Sequence, residues 1–169
     1  MKRLFVILPL MSLAAFAQAA QKAPPPLWHP PTSAELGTPE EQQWRADDPR
    51  HFLVVTGDFD GDGKPDEARL MIRGDGKAFA LFVKLASGNA PIKLDEFSDL
   101  KLLPVTGIKP VAPAEYPTAC ARGYDCAEDE PRYIRVTHPA IDYFQHDTAE
   151  HYYYWSDSRH AFAQVGITG

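Results

Sequence analysis

From His51 onward the chain alternates short apolar runs with turn residues. The runs are too short for globular helices and are rich in β-branched and aromatic side chains. Residues 51–56, 67–73 and 78–85 read as three strands, the third apolar on both faces. Gly74-Asp75-Gly76-Lys77 separates the second from the third as a hairpin turn, and Ser87-Gly88-Asn89 turns the chain again. Over 92–100 the signals for a weak strand and for one helical turn conflict. Residues 102–111 read as extended, interrupted at Pro104 and Gly107. Residues 132–136, 140–145, 150–155 and 161–165 complete the series. The pattern predicts a mainly β fold: an antiparallel meander of about seven to nine strands, shaped as a partial propeller or a curved, barrel-like sheet. Tyr152-Tyr153-Tyr154-Trp155 is its densest aromatic run. Alternation sends these rings to both faces of a strand, one pair into the core. The other pair is a second packed face or a sugar-stacking platform, and packing is the commoner fate.

The segments before and between the strands are organised by proline. Prolines at 24, 25, 26, 30 and 31 predict an extended leader over 20–37. Thr38-Pro39-Glu40-Glu41 has the form of a helix start: a capping threonine, proline at the first helical position, then acids at the positive helix end. A short helix to about Asp47 is expected after it, anchored by Trp44. Residues 112–131 form a long proline-containing loop holding the two cysteines of the chain, Cys120 and Cys126. A disulfide between them would staple it. The pair is too widely spaced for a redox Cys-x-x-Cys motif and lacks the second pair of a zinc ribbon. A single domain over 38–169 results.

The first residues change the picture of where the chain works. Lys2 and Arg3, an apolar segment over 4–17 and Ala17-Gln18-Ala19 have the order of a secretory signal cleaved after Ala19. The expected location is periplasmic or secreted, with no membrane anchor after cleavage. Loss of Lys2 and Arg3 takes the net charge from −6 to −8. An acidic protein repels phosphate backbones, which argues against nucleic acid.

The strongest chemical signal lies between the first two strands, in Gly57-Asp58-Phe59-Asp60-Gly61-Asp62-Gly63-Lys64-Pro65-Asp66-Glu67. Counted from Asp58, carboxylates fall at positions 1, 3, 5 and 9 and a glycine at position 6. Hard oxygen donors on alternate residues, with glycine at the sharp turn, are the ligand pattern of a calcium loop. The expected ligands of one Ca2+ are Asp58, Asp60, Asp62, Asp66 and the backbone carbonyl of Lys64. Position 12 is Arg69 rather than the bidentate glutamate of a helix-loop-helix hand, and the flanks are β-rich. The plainer alternative is an acidic, solvated hairpin turn, for which Asp62-Gly63 alone would suffice.

Residues 55–68 resemble the Asp-x-Asp-x-Asp-Gly-x-x-Asp loop of FG-GAP/VCBS-type repeats, which joins two antiparallel strands of a propeller blade. The resemblance implies calcium and a strand–loop–strand unit; a full propeller needs several such loops, and one is present. The Tyr152–Trp155 run followed by Phe162-Ala163-Gln164-Val165 is similar to the close of many bacterial envelope proteins that begin with the same kind of loop. That likeness implies a secreted β domain and brings no activity with it.

Other chemistry is weakly represented. His146, Asp147 and His151, with His138 and His160 nearby, lack the spacing of a zinc site and read as surface histidines. Neither a Gly-x-Ser-x-Gly elbow nor a phosphate loop occurs. The sequence therefore predicts a non-catalytic, exported, calcium-binding β module that engages another envelope protein or a glycan. Two alternatives stand beside it. One is a periplasmic lysozyme inhibitor or immunity protein, whose acidity would complement a basic muramidase. The other is a hydrolase whose residues meet only in space.

Overall fold

The computed structural model describes residues 27–45, 48, 50–126 and 129–168. The expected signal segment and residues 20–26 of the leader lie outside them. In chain order the described strands are β1 (Trp28–His29), β2 (Val54–Gly57), β3 (Asp66–Arg73), β4 (Phe79–Lys84), β5 (Ile92–Phe97), β6 (Thr106–Val111), β7 (Ala114–Pro117), β8 (Tyr133–Val136), β9 (Ala140–Gln145), β10 (Ala149–Ser156) and β11 (Ala161–Thr168). The fold is mainly β and every pairing is antiparallel.

The first sheet runs β1-β3-β4-β5, with β2 also paired to β3. β3 alternates buried and half-buried residues along its whole length, the period-2 signature of a strand with one face in a core. Its edge opposite β4 is shared: β2 covers Asp66 to Arg69 and β1 covers Ile72 and Arg73. The end of the proline-rich leader is thus part of the sheet. The second sheet runs β11-β10-β9-β6, and β7 and β8 form a separate hairpin. Among the described residues no sheet closes into a barrel.

The two larger sheets share one core. Leu70, Ile72, Phe79, Leu81 and Val83 of the first cluster with Ile108, Ile141, Tyr143 and Tyr153 of the second. Burying a side chain of this size is worth about 1.5–3 kcal/mol. The sheets are tied where β2 begins: the Phe52 carbonyl accepts from Ile108 N–H (2.8 Å) and the Leu53 carbonyl from Leu70 N–H (3.0 Å). Phe52 sits at φ +66°, uncommon for a bulky residue. It is wedged between His51 and Trp44, with ring centroids 3.8 and 5.5 Å away. A side chain on Gly107 would run into Phe144 and Phe52, so that glycine is the one residue admitting both rings. β6 therefore continues through Gly107 without interruption, and the expected break falls earlier, in a 3-10 turn over Leu100–Val105.

The expected helix from Thr38 to about Asp47 does not form as an α-helix over the described residues 38–45. Thr38 and Glu41 exchange capping bonds, Thr38 N–H to Glu41 Oε2 at 2.7 Å and Glu41 N–H to Thr38 Oγ1 at 3.3 Å. Beyond them the chain forms turns and a 3-10 segment, Gln43–Arg45. Trp44 is held by tertiary contacts: it packs between Phe52 and His146 and donates to the Pro104 carbonyl at 3.0 Å. Neighbouring Arg45 is fully buried and donates to the carbonyls of His51 (2.7 Å), Leu103 (3.2 Å) and Thr106. Three strong tertiary acceptors hold this segment in place, so helix propagation is not required.

Residues 112–131 also depart from expectation. They are not a structureless loop: Ala114–Pro117 pairs with Tyr133–Val136, and a short helix, α1 (Ala119–Arg122), carries Cys120 of the Cys120–Cys126 disulfide. The hairpin covers the outer face of the second sheet, where Ile134 and Val136 meet Val111, Ala140, Val165 and Ile167. Tyr116, Tyr152 and Tyr154 pack against that second core, while Tyr153 enters the main one. Both faces of the aromatic run are therefore packed. The bridge closes a loop of sequence separation 6, so little chain entropy is at stake. Replacing both cysteines by alanine should cost on the order of 2 kcal/mol in urea unfolding, and an unchanged midpoint would contradict a stabilising bridge.

One buried carboxylate is poorly compensated. Asp142 on β9 is 0% exposed, and among the described residues Lys109 is its one charged partner. Lys109 Nζ approaches Oδ2 to 3.1 Å and Glu150 Oε1 to 3.3 Å. Burial pushes the Asp142 carboxyl up to about 6, and the Lys109 ammonium only partly opposes this. The folded form holds that proton more tightly than the unfolded chain, where aspartates titrate near ~3.9. Stability from this group is present below pH ~4 and is lost as pH rises through about 6. Asp142→Asn should therefore raise stability at pH 7.5 by on the order of 2 kcal/mol and change it little at pH 4. Equal shifts of the urea midpoint at both pH values would contradict the burial argument.

Candidate metal centre

The β2–β3 connection is a tight loop organised by its own aspartates. Asp60 Oδ1 accepts from Asp62 N–H (3.2 Å), Asp62 Oδ1 from Lys64 N–H (2.8 Å) and Asp58 Oδ2 from Gly63 N–H (3.0 Å). Gly61 and Gly63 adopt φ +74° and +82°, a conformation that glycine reaches without steric cost. Gly61 is further constrained, because a Cβ there would lie 2.3 Å from the His138 ring.

These turns bring three of the expected ligands together. Asp58, Asp60 and Asp62 each offer a carboxylate oxygen within 4.8 Å of the other two. At about 4 Å each pair of full charges repels by roughly 1 kcal/mol even in water, and by more near protein. Compensation from the described residues is slight: Lys64 Nζ lies 3.3 Å from Asp62 Oδ2, on the solvent side. Asp58 Oδ1 is buried and has no hydrogen-bond partner among the described protein groups. A buried carboxylate oxygen without a donor is costly, and here it adjoins two further carboxylates. The donor set, all hard oxygen, fits a calcium ion in chemistry.

Asp66 is placed differently from the other three. It is 2% exposed, and both its oxygens are engaged by backbone amides: Oδ2 by Phe59 N–H and Oδ1 by Ala86 N–H, each at 2.8 Å. It ties the loop to itself and to the turn after β4. Lys64 contributes its N–H and ammonium to Asp62 as described. Arg69, at position 12, pairs with Glu67 within β3.

Two residues that the spacing rule does not reach complete the surroundings. Ser87 Oγ donates to Asp60 Oδ2 at 3.1 Å from the turn after β4. His138 lies over Gly61, and its Nε2 is 2.9 Å from Asp157 Oδ1. Both sit far away in sequence, in turns that carry no ligand pattern of their own. Among the described residues the cluster is made of the three aspartates alone: His146 stacks on Trp44, and His151 lies on β10 opposite Tyr143. Among the described residues no helix is long and apolar enough to cross a membrane. Compared with family models, with curated proteins and with solved structures, the chain gives no match in any of the three.

Proposed function

We propose that the protein is an exported, non-catalytic β module that uses one calcium ion as a structural pin and binds another component of the envelope, a protein or a glycan. The observation that carries the metal half is Asp58 Oδ1, a buried and unpartnered carboxylate oxygen beside two further carboxylates. Asp58, Asp60 and Asp62 would hold the ion, with the Lys64 carbonyl as the expected fourth donor. Asp66 would stand behind them, fixing the Phe59 and Ala86 amides. The ion's contribution there is charge: it turns mutual repulsion among the aspartates into attraction. The loop lies between β2 and β3 and touches turns from both larger sheets through Ser87 and His138. A filled site would therefore stiffen the junction of the sheets.

The binding half rests on the secretory signal, the acidic charge and the absence of a nucleophile or phosphate motif from the sequence. It is tested with the mature protein, calcium-loaded, in two arms. Incubated alone with purified cell wall it should release no soluble sugar. Immobilised and exposed to envelope extract it should retain a partner that the unfolded protein does not. Wall hydrolysis by the purified protein would overturn the non-catalytic reading.

A further inference from the structure

The outer face of the first sheet, turned away from the shared core, is not uniformly polar. Trp28, Met71, Phe82 and Pro91 floor a groove of about 470 Å3. The Trp28 indole meets the Phe82 ring nearly edge-on, at 5.1 Å and 68°. Ala80, on this outward side opposite Met71, is fully buried. Trp28 thus lies across the sheet surface and forms one wall of a right-angled aromatic corner. A few hundred cubic ångströms with an apolar floor and few polar groups is the size and character of a small-ligand site.

The polar groups at its rim have a definite balance. Arg69 is taken up by Glu67 through two N–H bonds to one carboxylate oxygen. Lys84 instead donates to the Gly88 carbonyl and takes part in no ion pair among the described residues. The lining therefore holds two cations against one carboxylate. Lys93, whose ammonium lies 5.7 Å from the Trp28 ring centroid, is paired with Glu96, which leaves Lys84 as a positive edge on a chain of net charge −6. Charge complementarity at such an edge selects an anionic group. The aromatic corner selects a flat apolar face beside it.

We propose that this groove binds a saccharide unit bearing a carboxylate, its C–H face against Trp28 and Phe82 and its carboxylate at Lys84. The ammonium exchanges a neutral carbonyl for a charge-assisted hydrogen bond. This deepens the glycan half of the proposed function and rests on it.

The test is an NMR titration of the Trp28 indole N–H, assigned with Trp28→Phe, in calcium-loaded mature protein. The probes are N-acetylmuramic acid, N-acetylglucosamine (the same ring without the lactyl carboxylate) and octanoate (the carboxylate without the ring). At low salt N-acetylmuramic acid should bind about 3- to 5-fold more tightly than N-acetylglucosamine, the range of one exposed ion pair. Lys84→Met, which keeps the apolar stem, should abolish that preference and leave N-acetylglucosamine binding unchanged. Equal affinity for the two sugars, or octanoate binding as tightly as N-acetylmuramic acid, would overturn the proposal. So would an unmoved Trp28 resonance with both sugars. Sedimentation of the same protein with purified cell wall separates the two readings. Retention on the wall with an unmoved Trp28 resonance ends this proposal alone, and no retention on the wall ends the glycan reading together with it.

Discussion

Arg45→Ala should destabilise the protein by about 4 kcal/mol in urea unfolding, a large share of the stability of an ordinary domain. The guanidinium is fully buried at the place where three separate segments meet. It donates to His51 just ahead of β2, to Leu103 in the 3-10 turn and to Thr106 at the start of β6. Truncation to alanine strands three carbonyls and opens a void under Trp44, whose ring the guanidinium overlies at 4.2 Å. Unmet buried acceptors and lost packing each cost about 1–3 kcal/mol. Burial pulls the Arg45 pKa down to about 10, which leaves it charged at neutral pH. Arg45→Met restores most of the volume but none of the bonds, and should recover only about 1 kcal/mol of the loss. A midpoint unchanged in Arg45→Ala would mean that the junction is held by the Phe52 and Leu53 backbone bonds alone.

Asp66→Ala should cost about 3 kcal/mol, and the cost should be the same in calcium and in chelator. Its two oxygens satisfy the amides of Phe59 and Ala86, and Phe59 is fully buried. Hydrogen bonds to a charged acceptor contribute about 1.5–3 kcal/mol each, and an orphaned buried N–H adds its own penalty. Asp58→Ala should behave in the opposite way. It removes the unpartnered Oδ1 together with one exposed bond, Gly63 N–H to Oδ2, so in chelator it should cost only about 1 kcal/mol, and in calcium it should forfeit the stabilisation due to the ion as well. Comparing melting curves of the two variants with and without calcium separates a loop staple from a metal ligand. An Asp66→Ala loss that appears only in calcium would return Asp66 to the ligand set.

Much of the fold was legible because its strands carry period-2 burial. β3 reads in, out, in, out over its whole length, and the sequence shows the same alternation as far as its apolar positions go. The aromatic run over Tyr152 to Trp155 likewise alternates as expected, with Tyr153 in the main core and Tyr152 and Tyr154 under the β7–β8 hairpin. β1 and β7 were not legible. Trp28–His29 and Ala114–Pro117 are too short to show a period, and prolines flank or end them; only the partner strand makes them strands. The Thr38 cap was correctly marked, yet a cap states where a helix can begin and not whether it propagates. Arg45, whose tertiary bonds hold that segment, looks in sequence like any exposed basic residue. At the loop, spacing brought Asp58, Asp60 and Asp62 to one point. It could not show that Asp66 faces two amides, nor that Ser87 and His138 arrive from distant turns, because those contacts are tertiary.

The measurement that bears most directly on the metal-pinned loop is calorimetric titration of the purified mature protein with calcium, after removal of bound metal. The expected result is one ion per chain and a higher melting temperature in calcium than in chelator. With a dissociation constant of about 10 μM and free calcium of about 1 mM, the stabilisation would be roughly 2.7 kcal/mol. The same titration of Asp58→Ala should give no binding heat. A wild-type protein that releases no heat with calcium, and melts identically in calcium and in chelator, would leave the three aspartates as an acidic turn and contradict the metal centre.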